Sequence, residues 1–264
     1  MKTIGGFLCI RMGDRLDYCW REAIRSMLPI CDQISVSECE STDGTREALD
    51  EWAKTEPKLK VTSYPWTNPI NDPTWWLTWL NHAREQLQTD WAIYLDADEV
   101  FHENSYQTIV DAARNGHTLM CHRWNFWRDA QSLIPPGKCC GVHVIRVGPQ
   151  RCFFPTDYSD HRSVELQRLA RPSEVFIGHY GFLRERNAFF RKARVVQQIW
   201  AGSYDPRLEK AEKYDGVWST MPGISGDNGE PGWENSLVQF TLTHPREIVK
   251  WLTDRGYSIS NTKT

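Results

Sequence analysis

No stretch of the 264 residues is apolar for long enough to cross a membrane. Residues 1–12 carry an apolar patch, but it is too short for a span and has no small-residue cleavage site, so a first strand is expected there rather than a leader. The eight cysteines include no C-x-x-C pair and no metal-finger spacing, and the adjacent Cys139-Cys140 suits neither. That excludes a zinc module and leaves reduced thiols in a cytoplasmic setting as the expectation. An excess of either charge is also missing: the net charge is -3 and the pI near 6.3, which gives no global electrostatic argument for nucleic acid. There is no internal repeat, and no Gly-rich phosphate loop near the start, which counts against a plain nucleotidyltransferase.

What is present is an ordinary globular balance, 40% hydrophobic against 25% charged, enough for one sizeable core. Thirteen tryptophans are many for this length. Some serve the core, and a surplus of indole is also how proteins build flat walls against sugar rings or bases.

Ile4, Phe7, Leu8, Cys9 and Ile10 mark a strand over 4–12. Helical spacing follows through Leu16, Cys19, Trp20, Ala23, Ile24, Met27 and Leu28, with Asp14 as the expected cap and Pro29 as the stop. Ile34-Ser35-Val36 is a second strand, the turn Ser41-Thr42-Asp43-Gly44-Thr45 opens a second helix, and 59–64 is a third strand. Strand, helix, strand, helix, strand implies right-handed crossovers and a parallel sheet. Asp72-Pro73 caps a helix with Trp76, Leu77, Leu80, Ala83 and Leu87 as its buried stripe, and Trp75 and Trp79 beside it read as core before ligand wall. After a strand at 91–95 comes a helix at 104–113. Short strands of mixed direction are then expected at 119–127, 141–147 and 175–177, and a helix at 188–200. The Gly- and Pro-rich 221–233 reads as a long loop, and Pro245 starts a last helix with Ile248, Val249 and Leu252 inward.

One stretch breaks the apolar pattern abruptly. Trp91 to Leu95 is an unbroken run suited to a strand buried on both faces, and Asp96-Ala97-Asp98-Glu99 follows at once. Two carboxylates one residue apart on extended chain point to the same side and can hold a hard divalent cation by oxygen. The plain alternative is a strand end whose acids face water or cap the next helix. In an open parallel sheet, ligands bind beyond the carboxyl ends of the strands. That rim gathers Arg11 to Asp14, Glu38 to Glu40, and Asp96 to Glu99 around one pocket.

These residues resemble family 2 glycosyltransferases of the GT-A fold. The resemblance is carried by Ser41-Thr42-Asp43-Gly44-Thr45, Asp96-Ala97-Asp98-Glu99, His179-Tyr180-Gly181-Phe182-Leu183-Arg184 and Thr243-His244-Pro245, and covers about 4–252. The last two motifs, with Phe101-His102-Glu103, are similar to a bacterial and phage subgroup. The resemblance implies an α/β fold, a GT-A-like (Rossmann-type) mixed, mainly parallel sheet flanked by helices, in a single domain over 1–264. Residues 1–115 would bind the nucleotide sugar, 116–255 would complete the metal site and take the acceptor, and 256–264 would be a frayed tail.

The implied chemistry is metal-dependent transfer of a sugar from a nucleotide-diphosphate sugar, a UDP-sugar by the commonest case, to an acceptor hydroxyl with inversion. Asp98 would ligate Mn2+ or Mg2+ directly, Asp96 would act through water or on the donor, and His179 would complete the shell of this DXD motif. Arg11 stands on the donor rim, and Glu38 occupies the base and ribose position, as glutamate where aspartate is usual. Asp43 is either a donor contact or a helix cap, and Arg184 either a bidentate partner of the diphosphate or one of a solvated basic run. Inversion needs a carboxylate to take the acceptor proton, and the interval before His179 offers Asp160 first and Asp157 second. Two acceptors stay open, a glycan or a 5-hydroxymethylpyrimidine of phage DNA, which would have to be flipped out of the duplex. A non-catalytic nucleotide-sugar-binding module is the remaining alternative.

Overall fold

β1 (Ile4–Ile10) is buried along its whole length, so its alternating side chains feed two cores. Ile4, Leu8 and Ile10 join one, Phe7 and Cys9 the other. β4 (Trp91–Tyr94) repeats the split, with Trp91 and Ile93 on the first side and Ala92 and Tyr94 on the second. The computed structural model describes residues 2–135, 143–150, 168–202, 209, 212–213 and 237–259.

Around these strands stand β2 (Gln33–Glu38), β3 (Leu59–Ser63), β5 (Glu99–Phe101), β6 (Thr118–Asn125), β8 (His143–Pro149) and β9 (Ala170–His179). They make one eight-stranded sheet in the order β3-β2-β1-β4-β8-β6-β9-β5, while β7 (Ser132–Leu133) and β10 (Val238–Gln239) form a separate ladder. The pairs β2–β3, β1–β2, β1–β4 and β6–β9 are parallel. The pairs β4–β8, β6–β8 and β5–β9 are antiparallel. This is the expected GT-A-like sheet: a parallel first half made by crossover helices, extended by strands of mixed direction.

Three helices close the first core: α1 (Trp20–Met27), α2 (Thr45–Ala53) and α4 (Tyr106–Asn115) supply Trp20, Ile24, Leu49 and Ile109. α3 (Pro73–Glu85) closes the second with Trp75, Leu77, Trp79, Leu80 and Ala83. Its entry is the expected one, since the Asp72 carboxylate accepts from Trp75 N at 3.2 Å ahead of a first-turn proline. α5 (Arg186–Ala201) adds Ile199 to the same core. A third cluster joins Val100, Phe126 and Tyr180 to α6 (Arg246–Asp254).

Several local expectations change. Asp14 does not cap α1, which starts only at Trp20; its carboxylate accepts from Arg21 at 2.6 and 3.1 Å and from Trp20 Nε1 at 3.0 Å, partners stronger than a backbone amide. Val249 is 38% exposed, because the helical step turns Ile248, Trp251 and Leu252 inward instead. Glu99–Phe101, expected to lead only into a helix, is a strand. The 221–233 loop lies outside the described residues.

Candidate active site

β5 pairs with β9 in a register that sets Glu99 opposite His179. One residue beyond, Tyr180 N donates to the Asp98 carbonyl at 2.9 Å. Backbone pairing alone therefore carries the histidine to the acidic turn. The turn is closed on itself: Glu99 N donates to the Asp96 carbonyl at 3.0 Å, and Asp96 N to Glu99 Oε2 at 3.1 Å.

The three carboxylates of this turn have different surroundings. Glu99 is fully buried and accepts from Arg123 Nη1 at 3.1 Å, Arg146 Nε at 3.0 Å and Arg146 Nη2 at 2.8 Å. Burial pulls its pKa up, but Arg146 and Arg123 outweigh this and hold it below the usual carboxylate range. Asp96 spends both oxygens inside the protein, Oδ1 on the Tyr94 hydroxyl and Oδ2 on Arg146 Nη2 at 3.0 Å. Burial, and then the charge of Glu99, raise its pKa.

Asp98 is 3% exposed, and its Oδ2 accepts from Arg184 Nη2 at 2.6 Å and Lys192 Nζ at 2.7 Å. Burial opposes ionisation, but Lys192 and Arg184 prevail and keep the carboxyl well below its ordinary range. Its Oδ1 lies 3.6 Å from His179 Nε2, too long for a hydrogen bond. Burial lowers the His179 pKa to about 3, so the imidazole is neutral at pH 7. Gly181 fits here because it lacks a side chain: a Cβ would stand 2.6 Å from His179 Nε2 and 2.8 Å from Asp98 Oδ2.

These groups floor a cavity of about 360 Å³ at the carboxyl ends of β1 and β4. Trp66, Trp76 and Trp79 form one wall, and Lys192, Val195 and Ile199 of α5 roof it. Arg11 lies over the Trp66 ring at 3.9 Å. Arg11 Nε and Trp76 Nε1 are buried donors without a partner among the described residues.

Of the residues expected from sequence, Arg11, Asp96, Asp98 and His179 line this cavity. The others are placed elsewhere. Glu38 is buried and accepts from Ser41 N at 2.7 Å, bracing the turn after β2. Asp43 accepts from Arg15 N at 2.7 Å and Thr45 N at 3.2 Å, tying the loops after β1 and β2 together. Arg184 is 1% exposed and commits its guanidinium to the Gly181 and Leu16 carbonyls and to Asp98. It belongs neither to the cavity lining nor to a solvated basic face. Asp157 and Asp160 lie outside the described residues.

The model of the family described as "Glycosyl transferase family 2" matches residues 13–189, most of the chain. The chain belongs to this family. As a family 2 glycosyltransferase it carries the acidic turn and most of the first half inside the matched span. Among solved structures it is similar to S. aureus TarS 1-349 in complex with UDP, at 12% identity and a TM-score of 0.44, over 74% of this chain and 64% of that one. A second structure of S. aureus TarS 1-349 gives the same identity and score over 80% and 70%. The chain thus spans under two thirds of the length of the first of these. No curated protein sequence matches it.

A divalent cation is implied by the family, and its fit rests on the donor atoms present. Among the described residues no group of three or more His, Cys, Asp or Glu side chains comes together as a metal cage. Asp98 Oδ1 and a neutral His179 Nε2 do face each other at 3.6 Å, a carboxylate oxygen and an imidazole nitrogen of the kinds that divalent ions accept. His179 Nδ1 has no partner of its own among the described residues. Two donors therefore fit, and sites that complete their shell with substrate phosphates need no more. Asp96, with both oxygens engaged, is no direct ligand in this arrangement.

Sequence reasoning missed three participants. In the sequence Lys192 stands in the basic run at 184–194, Arg146 in a strand-like stretch, and Glu99 follows the two aspartates with no task that its spacing assigns. The Thr243-His244-Pro245 motif also finds its role: His244 Nδ1 lies 3.0 Å from the Tyr180 hydroxyl and Nε2 2.7 Å from the Ala130 carbonyl, clamping the residue after His179.

Two outcomes follow. Glu99→Gln leaves two buried guanidiniums short of charge, and urea unfolding should show a loss of about 3–5 kcal/mol. Burial lowers the His244 pKa to about 4, whereas an unfolded histidine titrates near 6.5. The unfolded chain then binds the extra proton between those values, so stability falls as pH drops from about 6.5 to 4. Each such histidine contributes up to about 1.4 kcal/mol per pH unit, and His244→Asn should reduce the measured slope by one proton.

Proposed function

We propose that this glycosyltransferase moves a sugar from a nucleoside-diphosphate sugar, with UDP as the nucleotide, to an acceptor hydroxyl. The observation that carries the reading is the ionised, buried Asp98 facing neutral His179 on the floor of a cavity at the carboxyl ends of the parallel strands. Asp98 and His179 would hold Mn2+ or Mg2+, which when bound supplies positive charge to the departing diphosphate. Asp96, fixed by Tyr94 and Arg146, shapes the cavity floor beside the donor rather than ligating. Arg11 and Trp76 line the cavity, where the guanidinium adds positive charge toward a ligand rich in phosphate oxygens.

Inversion assigns the acceptor proton to a separate carboxylate, for which Asp160, then Asp157, are proposed from their position ahead of His179. Donor residues come from the first half of the chain and His179 and Lys192 from the second, which supports one domain with the proposed division. A saccharide acceptor is favoured over modified DNA. Binding of DNA needs a free basic face, yet Arg184 and Lys192 of the run at 184–194 are turned onto Asp98, and Trp75 is packed in the core. The described thiols Cys9, Cys19, Cys31, Cys39 and Cys121 are free and buried, which supports a reducing, cytoplasmic setting. No described helix is long and apolar enough to cross a membrane.

Nucleotide release from UDP-sugars in manganese, with oligosaccharide acceptors, tests the reading. Asp98→Asn should lower the rate by about 10²–10³-fold, the size of one lost electrostatic stabiliser, and an unchanged rate would remove Asp98 from the site. Asp160→Asn should cost about 10²–10⁴-fold in single-turnover transfer while donor affinity holds. Tight UDP binding in the wild type without release from any donor would favour the non-catalytic alternative.

A further inference from the structure

The cations around Asp98 exceed what it needs. Arg184 alone balances its charge, at 2.6 Å, from a position with 1% side-chain exposure. Every group of that guanidinium has a partner: Nε donates to the Gly181 carbonyl at 2.7 Å, Nη1 to the Leu16 carbonyl and Nη2 to Asp98. Lys192 brings a second positive charge to the same oxygen at 2.7 Å, with 25% of its side chain exposed and facing the cavity. An ammonium has three protons to donate, and only the one to Asp98 is matched among the described residues. It also lies 5.1 Å from the Tyr18 ring.

The other ionised cavity groups leave the same surplus. Asp96 is paired with Arg146, and Arg11 stacks on Trp66 without an ion pair among the described residues. The unsatisfied charge of the cavity is therefore positive, and its movable part is Lys192. The helix position agrees, because Lys192 shares a face with Val195, Val196 and Ile199, all of which line the cavity.

We propose that Lys192 is a direct ligand of the donor diphosphate, and that Arg184, the arginine of the His-Tyr-Gly motif, serves instead as the fixed counter-ion of Asp98. The inference rests on the nucleotide-sugar reading of the same cavity. On binding, the ammonium keeps its protons and turns its two unmatched N–H groups onto phosphate oxygens, while Arg184 goes on neutralising Asp98. Methionine in place of Lys192 keeps most of the stem and removes the charge.

Titration calorimetry with inorganic pyrophosphate, UDP and uridine, in EDTA and again in manganese, separates the possibilities. Lys192→Met should weaken pyrophosphate and UDP by about 10- to 100-fold, the equivalent of one charge-assisted hydrogen bond, and leave uridine unchanged. Lys192→Arg should restore most of the loss. Near-ultraviolet circular dichroism confirms that each variant is folded. If Lys192→Met binds pyrophosphate and UDP within about twofold of wild type in both buffers, the lysine is only a partner of Asp98 and the proposal fails while the donor reading stands. If the wild type itself binds neither probe in either buffer, the nucleotide-sugar reading falls, and this assignment with it.

Discussion

Glu99 is a carboxylate with no exposure to water, held by guanidiniums from two other strands, and the geometry of the site depends on it. Arg123 of β6 and Arg146 of β8 meet it from one sheet, and Arg146 reaches on to Asp96. Burying these charges costs several kcal/mol per ion, so the cluster is a poor way to add stability and a good way to fix position. Two carboxylates and two guanidiniums cancel, which keeps the floor behind the cavity neutral. The bonds also pin both ends of the acidic turn, so that Asp98 projects between them at a fixed angle. β5 then passes this position to β9, whose pairing delivers His179 and Tyr180.

The same arrangement separates two aspartates that a sequence motif presents as equals. Asp96 is absorbed into the neutral cluster, and Asp98 is left to the cations of the cavity. Two unit charges 4 Å apart at an effective dielectric of 20 interact by about 4 kcal/mol, and a dication doubles that. A divalent ion held at Asp98 would compete with Lys192, and the partner able to give way is the partly exposed lysine on a flexible stem. Arg184, with three acceptors and no exposure to speak of, stays where it is. A cation that yields from Asp98 without leaving the cavity is free to meet the diphosphate.

Much of the fold was legible because its periodicity is local. The runs expected at 4–12, 34–36, 59–64 and 91–95 are each bounded by a turn or cap, and each holds a parallel strand, at 4–10, 33–38, 59–63 and 91–94. The rim rule then brought Arg11, Asp96 and Asp98 together without any knowledge of side-chain contacts. His179 came from motif resemblance, since nothing in its own neighbourhood says which strand it will pair with. The Asp14 cap failed for a different reason. Helix-start patterns weigh a carboxylate against backbone amides, whereas here a guanidinium and an indole compete for it and win.

The basic run at 184–194 shows what a linear reading of charge leaves out. Arg184, Arg186, Arg191, Lys192 and Arg194 look alike as a solvated face, yet Arg191 and Arg194 pair with Glu185 and Glu212 at the surface while Arg184 and Lys192 turn inward to Asp98. The signal was in the apolar residues rather than the charged ones. Val195, Val196 and Ile199 follow Lys192 at intervals of three, four and seven, which puts the lysine on the face that α5 turns toward the cavity. Arginines in strands carry the same message: Arg123 and Arg146 sit in runs otherwise fit for burial, and a buried arginine requires a buried acid. The acid with no evident task was Glu99. Two buried guanidiniums call for a buried carboxylate, and Glu99 is the one they meet.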